Sequence, residues 1–328
     1  MSEPVHSNRS GALLALAAFA VWATHDLGVK YLGASYSAVQ IVFFSVLFNF
    51  PLATLMLISD PVDGHLRPIH PWWNLLRAIS GVAGGVSAFY AFSTLPLTQV
   101  YALIFAAPLL VTILSVPILG ETVRLKRWCA VIVGLCGVFV VLRPGATTLS
   151  LGHAAALVTA VGTALSAVIV RRIGREERSV VLILYPMLAN VVVMGAALPF
   201  VYEPMPAAHL GLLALISVMA FGATSLIISA YKRGEAVIVA PMQYSQIIWA
   251  TLYGALFFSE RPDRWTMIGA GIIIASGIYI VLREGTAGAS ENRPVLRMRL
   301  RPETGTFLRS GLLMMRKGRT ETGDPEER

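Results

Sequence analysis

The sequence predicts an all-α integral membrane protein: ten transmembrane helices arranged as two inverted five-helix repeats. Three observations carry this. The 328 residues are 56% hydrophobic and 13% charged, with mean hydropathy +0.69, where a soluble domain has about 25% charged residues. The charges gather between apolar runs, each near the ~20 residues that a helix needs to cross a ~30 Å hydrocarbon core. The pattern of runs also occurs twice. Gly11 onward matches Gly152 onward, so that Lys30 falls on Arg171, Phe44 on Tyr185 and Asn49 on Asn190, and Gly120-Glu121 falls on Ser259-Glu260. Five runs per copy is an odd number, so the second copy enters the membrane from the opposite side.

In order, Met1 to Ser10 is a polar tail. The first span, Gly11 to Tyr31, carries Trp22, His25, Asp26 and Lys30. It lacks the basic flank and small-residue cleavage site of a signal peptide. The second span is Tyr36 to Ile58, and the loop Ser59 to Trp73 holds Pro61, Pro68 and Pro71. Arg77-Ala78 opens the third, which runs through Thr94 to the turn Leu95-Pro96-Leu97. The fourth, Val100 to Leu119, carries Pro108 and ends at Gly120-Glu121, with Arg124, Lys126 and Arg127 behind it. The fifth starts at Trp128 and stops at Arg143-Pro144-Gly145. Gly152 to Val170 is the sixth, followed by the basic loop Arg171 to Arg178. Ser179 to Phe200, Leu210 to Ala230, Ala236 to Phe258 and Trp265 to Leu282 complete the set. The repeats are therefore 11–143 and 152–283. Residues 284–328 form a basic tail with no sustained apolar period, expected to be disordered and cytoplasmic.

The placement of arginine and lysine sets the orientation. With the amino terminus inside, Arg9, Arg67, Arg124, Lys126, Arg127, Arg171, Arg172, Arg175, Arg178, Arg261 and Arg264 are assigned inside, and Lys30, Arg143, Lys232 and Arg233 outside. Both termini are then expected in the cytoplasm, with Lys232-Arg233 against the bias. The net charge of +8 does not imply nucleic acid, because the basic residues sit at run ends and in the tail. Membrane lipids of the anionic leaflet are the expected partner. Cys129 and Cys136 lie seven residues apart on one span, about 10 Å along its axis, too far for a disulfide; both read as small packing residues. Gly81 and Gly85 form a GxxxG close-packing signal. There is no Walker loop, and the six histidines have no metal-ligand spacing, so no cofactor or metal is implied.

A family resemblance rests on Arg77-Ala78, Phe89-Tyr90-Ala91, Leu95-Pro96-Leu97, Ala102, Pro108, Leu119-Gly120-Glu121, Trp128, Gly134 and Gly137. The second copy offers Pro241, Ser259-Glu260, Trp265 and Gly269. The chain resembles the EamA family of the drug/metabolite transporter superfamily from about Gly11 to Arg283, more closely in the first copy, since Ser259 stands where Gly120 does. The resemblance implies ten helices, cytoplasmic termini, and secondary transport or export of small metabolites. The first half is also similar to the S-adenosylmethionine uptake carriers of that group.

The candidate substrate-binding residues are Trp22, His25, Asp26, Tyr101, Phe105, Thr163, Gln243, Gln246, Trp249 and Tyr253. Asp26 and Lys30 are spaced i, i+4 in an apolar run, and ionisable groups inside a bilayer face a cavity or pair with each other. The competing reading is a permanent Asp26–Lys30 pair. Gln243, Gln246, Ala250 and Tyr253 share one helical face beside Pro241, as a substrate wall or as interhelical glue. Tyr101, Phe105, Pro108 and Thr112 share another, as do Thr159, Thr163 and Ser166, whose hydroxyls have a local alternative in backbone bonding. Arg77 reads as an interface anchor, and Glu121 and Glu260 as structural pairs at cytoplasmic span ends.

The expected function is a secondary transporter of a small, amphipathic, amino-bearing or cationic metabolite in the cytoplasmic (inner) membrane, with possible proton coupling at Asp26. An integral-membrane enzyme would need a nucleophile, metal or acid–base cluster at a membrane face. A passive channel or sensor is the third class.

Overall fold

The computed structural model describes residues 8–58, 66–145, 148–174, 176–177, 179–233 and 236–286. The tail expected to be disordered lies outside the described residues beyond Thr286; its first three residues, 284–286, continue the last helix instead. Every regular element among the described residues is helical. The order is α1 (Asn8–Gly33), α2 (Ala38–Ile58), α3 (Pro71–Thr94), α4 (Leu97–Ile104), α5 (Ala107–Leu119), α6 (Leu125–Leu142), α7 (Leu151–Ile173), α8 (Ser179–Ala197), α9 (Ala207–Arg233), α10 (Ala236–Val239), α11 (Gln246–Phe258) and α12 (Arg264–Thr286). Eight stretches are long and apolar enough to cross a membrane: α1, α3, the α4–α5 stretch, α6, α7, α8 with the turn after it, α9 and α12.

Two expected spans are broken, and they are equivalent by the sequence repeat. The fourth run parts at Phe105-Ala106 into α4 and α5. Pro108 has no N–H to continue an α-helical ladder, and the chain tightens there, with the Ala106 N–H donating to the Leu103 carbonyl. The ninth run contains a 3-10 segment, Ala240–Ser245, between α10 and α11. Pro241 causes the same interruption. Because a 3-10 turn holds about 3.0 residues against 3.6 in an α-helix, Gln243 does not continue the face of Gln246 and Ala250. The single stripe expected there is therefore interrupted, as is the Tyr101-to-Thr112 face.

Both broken runs stop in the same way. Gly120 after α5 and Ser259 after α11 are left-handed, with φ of 70° and 54°. The Glu121 N–H then reaches the Ser115 carbonyl at 3.4 Å, and the Glu260 N–H the Gly254 carbonyl at 2.8 Å. This is the Schellman closure that glycine adopts without strain and serine does not.

Packing is reciprocal between the halves. α1 lies along α9 and α3 along α7, while α2 meets α8, α4 meets α11 and α6 meets α12. Lipid gives no hydrophobic force between helices, so close approach of backbones counts. A Cβ on Gly162 of α7 would stand 2.8 Å from the Ser80 carbonyl of α3 and 3.2 Å from the Gly84 Cα. On α6 and α12, Cβ atoms at Gly137 and Gly269 would stand 2.9 and 2.7 Å from each other's carbonyls. The α3 crossing thus uses Gly84; a Cβ on Gly81 would meet only Pro186, at 3.7 Å.

Contacts sort the helix ends onto two faces. On one, Lys30 pairs with Glu260 at 2.8 Å, Arg143 with Asp263 at 2.6 Å, and Tyr36 with His209 at 2.7 Å. On the other, Arg171 pairs with Glu121, and Glu177 accepts from the Ile69 and His70 N–H groups and from Asn74 Nδ2. This corrects the charge sorting. Arg261 and Arg264 flank Asp263, so they belong with Lys30 and Arg143. α9 starts beside the Tyr36–His209 contact, and its 27 residues carry Arg233 to the opposite face. Glu260 likewise sits at the Lys30 face. The span count requires the same result: eight spans precede Arg233, which returns to the side of the amino terminus, and nine precede Arg261 and Arg264, which lie on the other.

Three other expectations are corrected. Cys129 and Cys136 are free and exposed on the outer side of α6 rather than packed inside. Arg77 is 1% exposed and donates to the Leu182 carbonyl between α3 and α8, so it is an interior residue. Lys30 pairs with Glu260 and not with Asp26.

Candidate functional site

α1 delivers the polar centre. It is apolar through Ala15, Ala18 and Phe19, and its buried stripe continues into Trp22, His25, Asp26 and Val29. His25 Nδ1 lies 2.8 Å from Asp26 Oδ1 and must donate to it, since a carboxylate only accepts. Tyr101 Oη, from α4, donates to Asp26 Oδ2 in a close contact. Trp22, His25, Asp26 and Tyr101 are each 1% exposed. A buried carboxylate is tolerated only when hydrogen bonds replace its hydration, and these two donors supply that replacement.

Aromatic rings enclose the centre. Trp22 and Phe89 meet the His25 ring edge-on, at 5.2 and 6.2 Å between centroids. Phe92 meets Tyr101 at 5.5 Å, Tyr101 meets Phe105 at 5.9 Å, and Phe105 meets Tyr244 at 5.1 Å. Counting back fifteen residues from Gly120 and from Ser259 reaches Phe105 and Tyr244, so the two repeats touch at equivalent rings beside their broken spans. Electron-rich ring faces around a carboxylate suit a cation.

The structure therefore brings together Trp22, His25, Asp26, Tyr101 and Phe105. A second group lies on α11. Tyr253 Oη is 2.9 Å from Thr24 Oγ1 of α1, and Trp249 meets Tyr253 at 5.9 Å. Gln246 is 4% exposed and its Nε2 has no hydrogen-bond partner, while Gln243 is half-buried in the 3-10 segment. No hydrogen bond or ring contact among the described residues links Thr163 to either group. It is half-buried on α7, where the repeat places it opposite Trp22 in sequence. Thr159 and Thr112 bond to carbonyls one turn back, at 2.9 and 3.2 Å, as hydroxyls on membrane helices do.

Sequence reasoning missed Thr24, Phe89, Phe92 and Tyr244 as neighbours of the site. The repeat offset carried a signal for Tyr244 alone. Among the described residues no group of three His, Cys, Asp or Glu side chains has the geometry to hold a metal ion.

A multi-pass helical membrane protein with a buried, aromatic-walled carboxylate at the meeting point of its halves is the class that this fold and site define. Residues 9–143 and 150–283 each match the EamA-like transporter family, and the chain belongs to it. It is 25% identical over 263 residues to the S-adenosylmethionine uptake transporter of Rickettsia bellii, covering 80% of this chain and 90% of that one. It is 26% identical over 277 residues to the pseudopaline exporter CntI of Pseudomonas aeruginosa, covering 83% and 96%. The riboflavin transporter of Rhizobium johnstonii is 23% identical over 242 residues, covering 74% and 78%. A protein crystal structure is similar in fold, with a TM-score of 0.57 at 19% identity, covering 86% of this chain and 100% of that one.

Proposed function

We propose that this protein is a secondary transporter that moves a small, amphipathic, amino-bearing or cationic metabolite by alternating access. It acts in the cytoplasmic membrane, as ten spans in two inverted repeats, 11–143 and 152–283, with both termini and the 284–328 tail in the cytoplasm. The observation that carries the reading is the buried Asp26 carboxylate, held by His25 and Tyr101 inside a ring of aromatic side chains. Such a centre recognises an ammonium or sulfonium through charge and ring faces, and excludes anions. The packing of the halves supports inverted repeats, since α1–α9 and α3–α7 exchange under a two-fold relation and α2–α8 and α6–α12 each pair equivalent helices. Trp22 and Phe105 serve as walls. Gln243, Gln246, Trp249, Tyr253 and Thr163 border the path. Asp26, with His25 beside it, also exchanges a coupling proton.

Counterflow in proteoliposomes tests this, with labelled S-adenosylmethionine as the first probe and riboflavin as a neutral comparison. A carrier shows saturable uptake accelerated by unlabelled substrate inside. Linear flux without trans-stimulation would make the protein a pore, and conversion of the probe would make it an enzyme.

A further inference from the structure

Of the ion pairs that join the halves of the molecule among the described residues, two are related by the repeat, one on each face; Arg143–Asp263 and His70–Glu176 also cross between the halves and are more exposed. Lys30, in the last turn of α1, places Nζ 2.8 Å from Glu260 Oε1, just past α11. Arg171, in the last turn of α7, pairs with Glu121, just past α5. The repeat that sets Lys30 on Arg171 also sets Glu121 on Glu260. Each pair is thus the image of the other with the halves exchanged. The basic residue that ends the first helix of one half meets the glutamate that ends the fourth run of the other.

These are not surface pairs of negligible worth. The four side chains are between 9% and 17% exposed. On the Lys30 face, Glu260 Oε2 also accepts the Leu97 N–H at 3.0 Å, and Lys30 donates to the Leu95 carbonyl at 2.6 Å. The pair therefore ties α1, the α3–α4 turn and the end of α11 together. On the other face, the neighbouring Arg172 donates to the Ile118 carbonyl in the last turn of α5.

The mechanics follow from the broken spans. Glu121 and Glu260 stand at the tips of α5 and α11, each 13 residues and so about 20 Å long. Each of these helices begins at a break, at Phe105-Ala106 or at the 3-10 segment, and the breaks touch through Phe105 and Tyr244. α5 also packs along α7, and α11 reaches α1 through Tyr253 and Thr24, so for a tip pair to part each helix must slide along the first helix of the other half. Lys30 also lies one helical turn from Asp26, between that centre and its face.

We propose that the Lys30–Glu260 and Arg171–Glu121 pairs are the two closures of the transport path, opened in alternation. When one opens, the other stays made, so the Asp26 centre meets one side at a time. The assignment rests on the carrier reading above.

The test uses a full-length protein with Cys129→Ala and Cys136→Ala, one reporter cysteine, and an impermeant thiol reagent applied to each side of oriented vesicles. Thr98→Cys, buried beside Leu97, reports the Lys30 face, and Ser115→Cys, buried beside Glu121, reports the other. Glu260→Gln should raise Thr98→Cys labelling about fivefold and lower Ser115→Cys labelling by a comparable factor, and Glu121→Gln should do the reverse. Oxidative cross-linking of Lys30→Cys to Glu260→Cys perturbs a protein that has already folded. It should raise Ser115→Cys labelling from the opposite side. Labelling that rises on the cut face alone, rises on both faces together, or does not change makes the pairs static fasteners and overturns the proposal. Labelling needs no substrate. A wild-type protein without counterflow would strike the carrier reading instead.

Discussion

At the scale of single residues, the proposed transport rests on the buried Asp26 carboxylate, and Tyr101 is its most informative neighbour. Tyr101→Phe keeps the ring against Phe92 and Phe105 and deletes only the hydroxyl that reaches Asp26. A hydrogen bond to a charged group is worth roughly 1.5–3 kcal/mol, so probe affinity in exchange assays should fall about tenfold at normal membrane abundance. Unaltered affinity would remove Tyr101 from the site. Gln246→Ala should weaken uptake or export, because its buried amide nitrogen has no protein partner to lose. Unchanged kinetics in the double Gln243, Gln246 alanine variant would count against that wall. Asp26 was legible in the sequence as an acid in an apolar run. His25 was legible as its chain neighbour, but the Tyr101 contact was not, because spacing of four residues favoured Lys30 as the second partner. The tip of Lys30 instead reaches the far end of the chain at Glu260.

At the scale of elements, termini and crossings decide stability. Ser259 holds a left-handed φ of 54° at the position where the first repeat has Gly120. Ser259→Gly should stabilise the protein by up to ~1 kcal/mol, read as a raised midpoint of thermal unfolding in detergent. A lowered midpoint would show that the serine side chain contributes more than its backbone costs. At the α6–α12 crossing, Gly137→Val should destabilise by about 1–3 kcal/mol through overpacking, while Gly211→Ala, with nothing within 4 Å of its Cβ, should be neutral. The eight stretches long and apolar enough to cross a membrane were legible from length and hydropathy. The breaks were not, because Pro108 and Pro241 mark an interruption without saying whether a helix bends or changes pitch. The glutamine stripe was drawn on one continuous α-helix and failed for that reason.

At the scale of the whole molecule, the two repeats generate the arrangement. Lys30 on Arg171 and Glu121 on Glu260 were both visible as sequence matches, and crossing those two correspondences yields the two repeat-related ion pairs between the halves. The same symmetry corrects the charge sorting. With Arg233 moved to the Arg171 face and Arg261 and Arg264 to the Lys30 face, the basic bias stays on the face expected to be cytoplasmic. Cysteines placed at Thr147 and Ser290 should then label from opposite sides in intact cells, and labelling of both from outside would contradict the topology. The central claim is that the Asp26 carboxylate couples substrate to driving force across the molecule. Accumulation of the probe by the Asp26→Asn protein, measured across pH beside its exchange activity, tests this most directly. The account predicts a stably inserted protein that has lost driven accumulation, either with exchange retained or with its affinity for cations selectively reduced. A stable Asp26→Asn protein that accumulates the probe like wild type at every pH would contradict it.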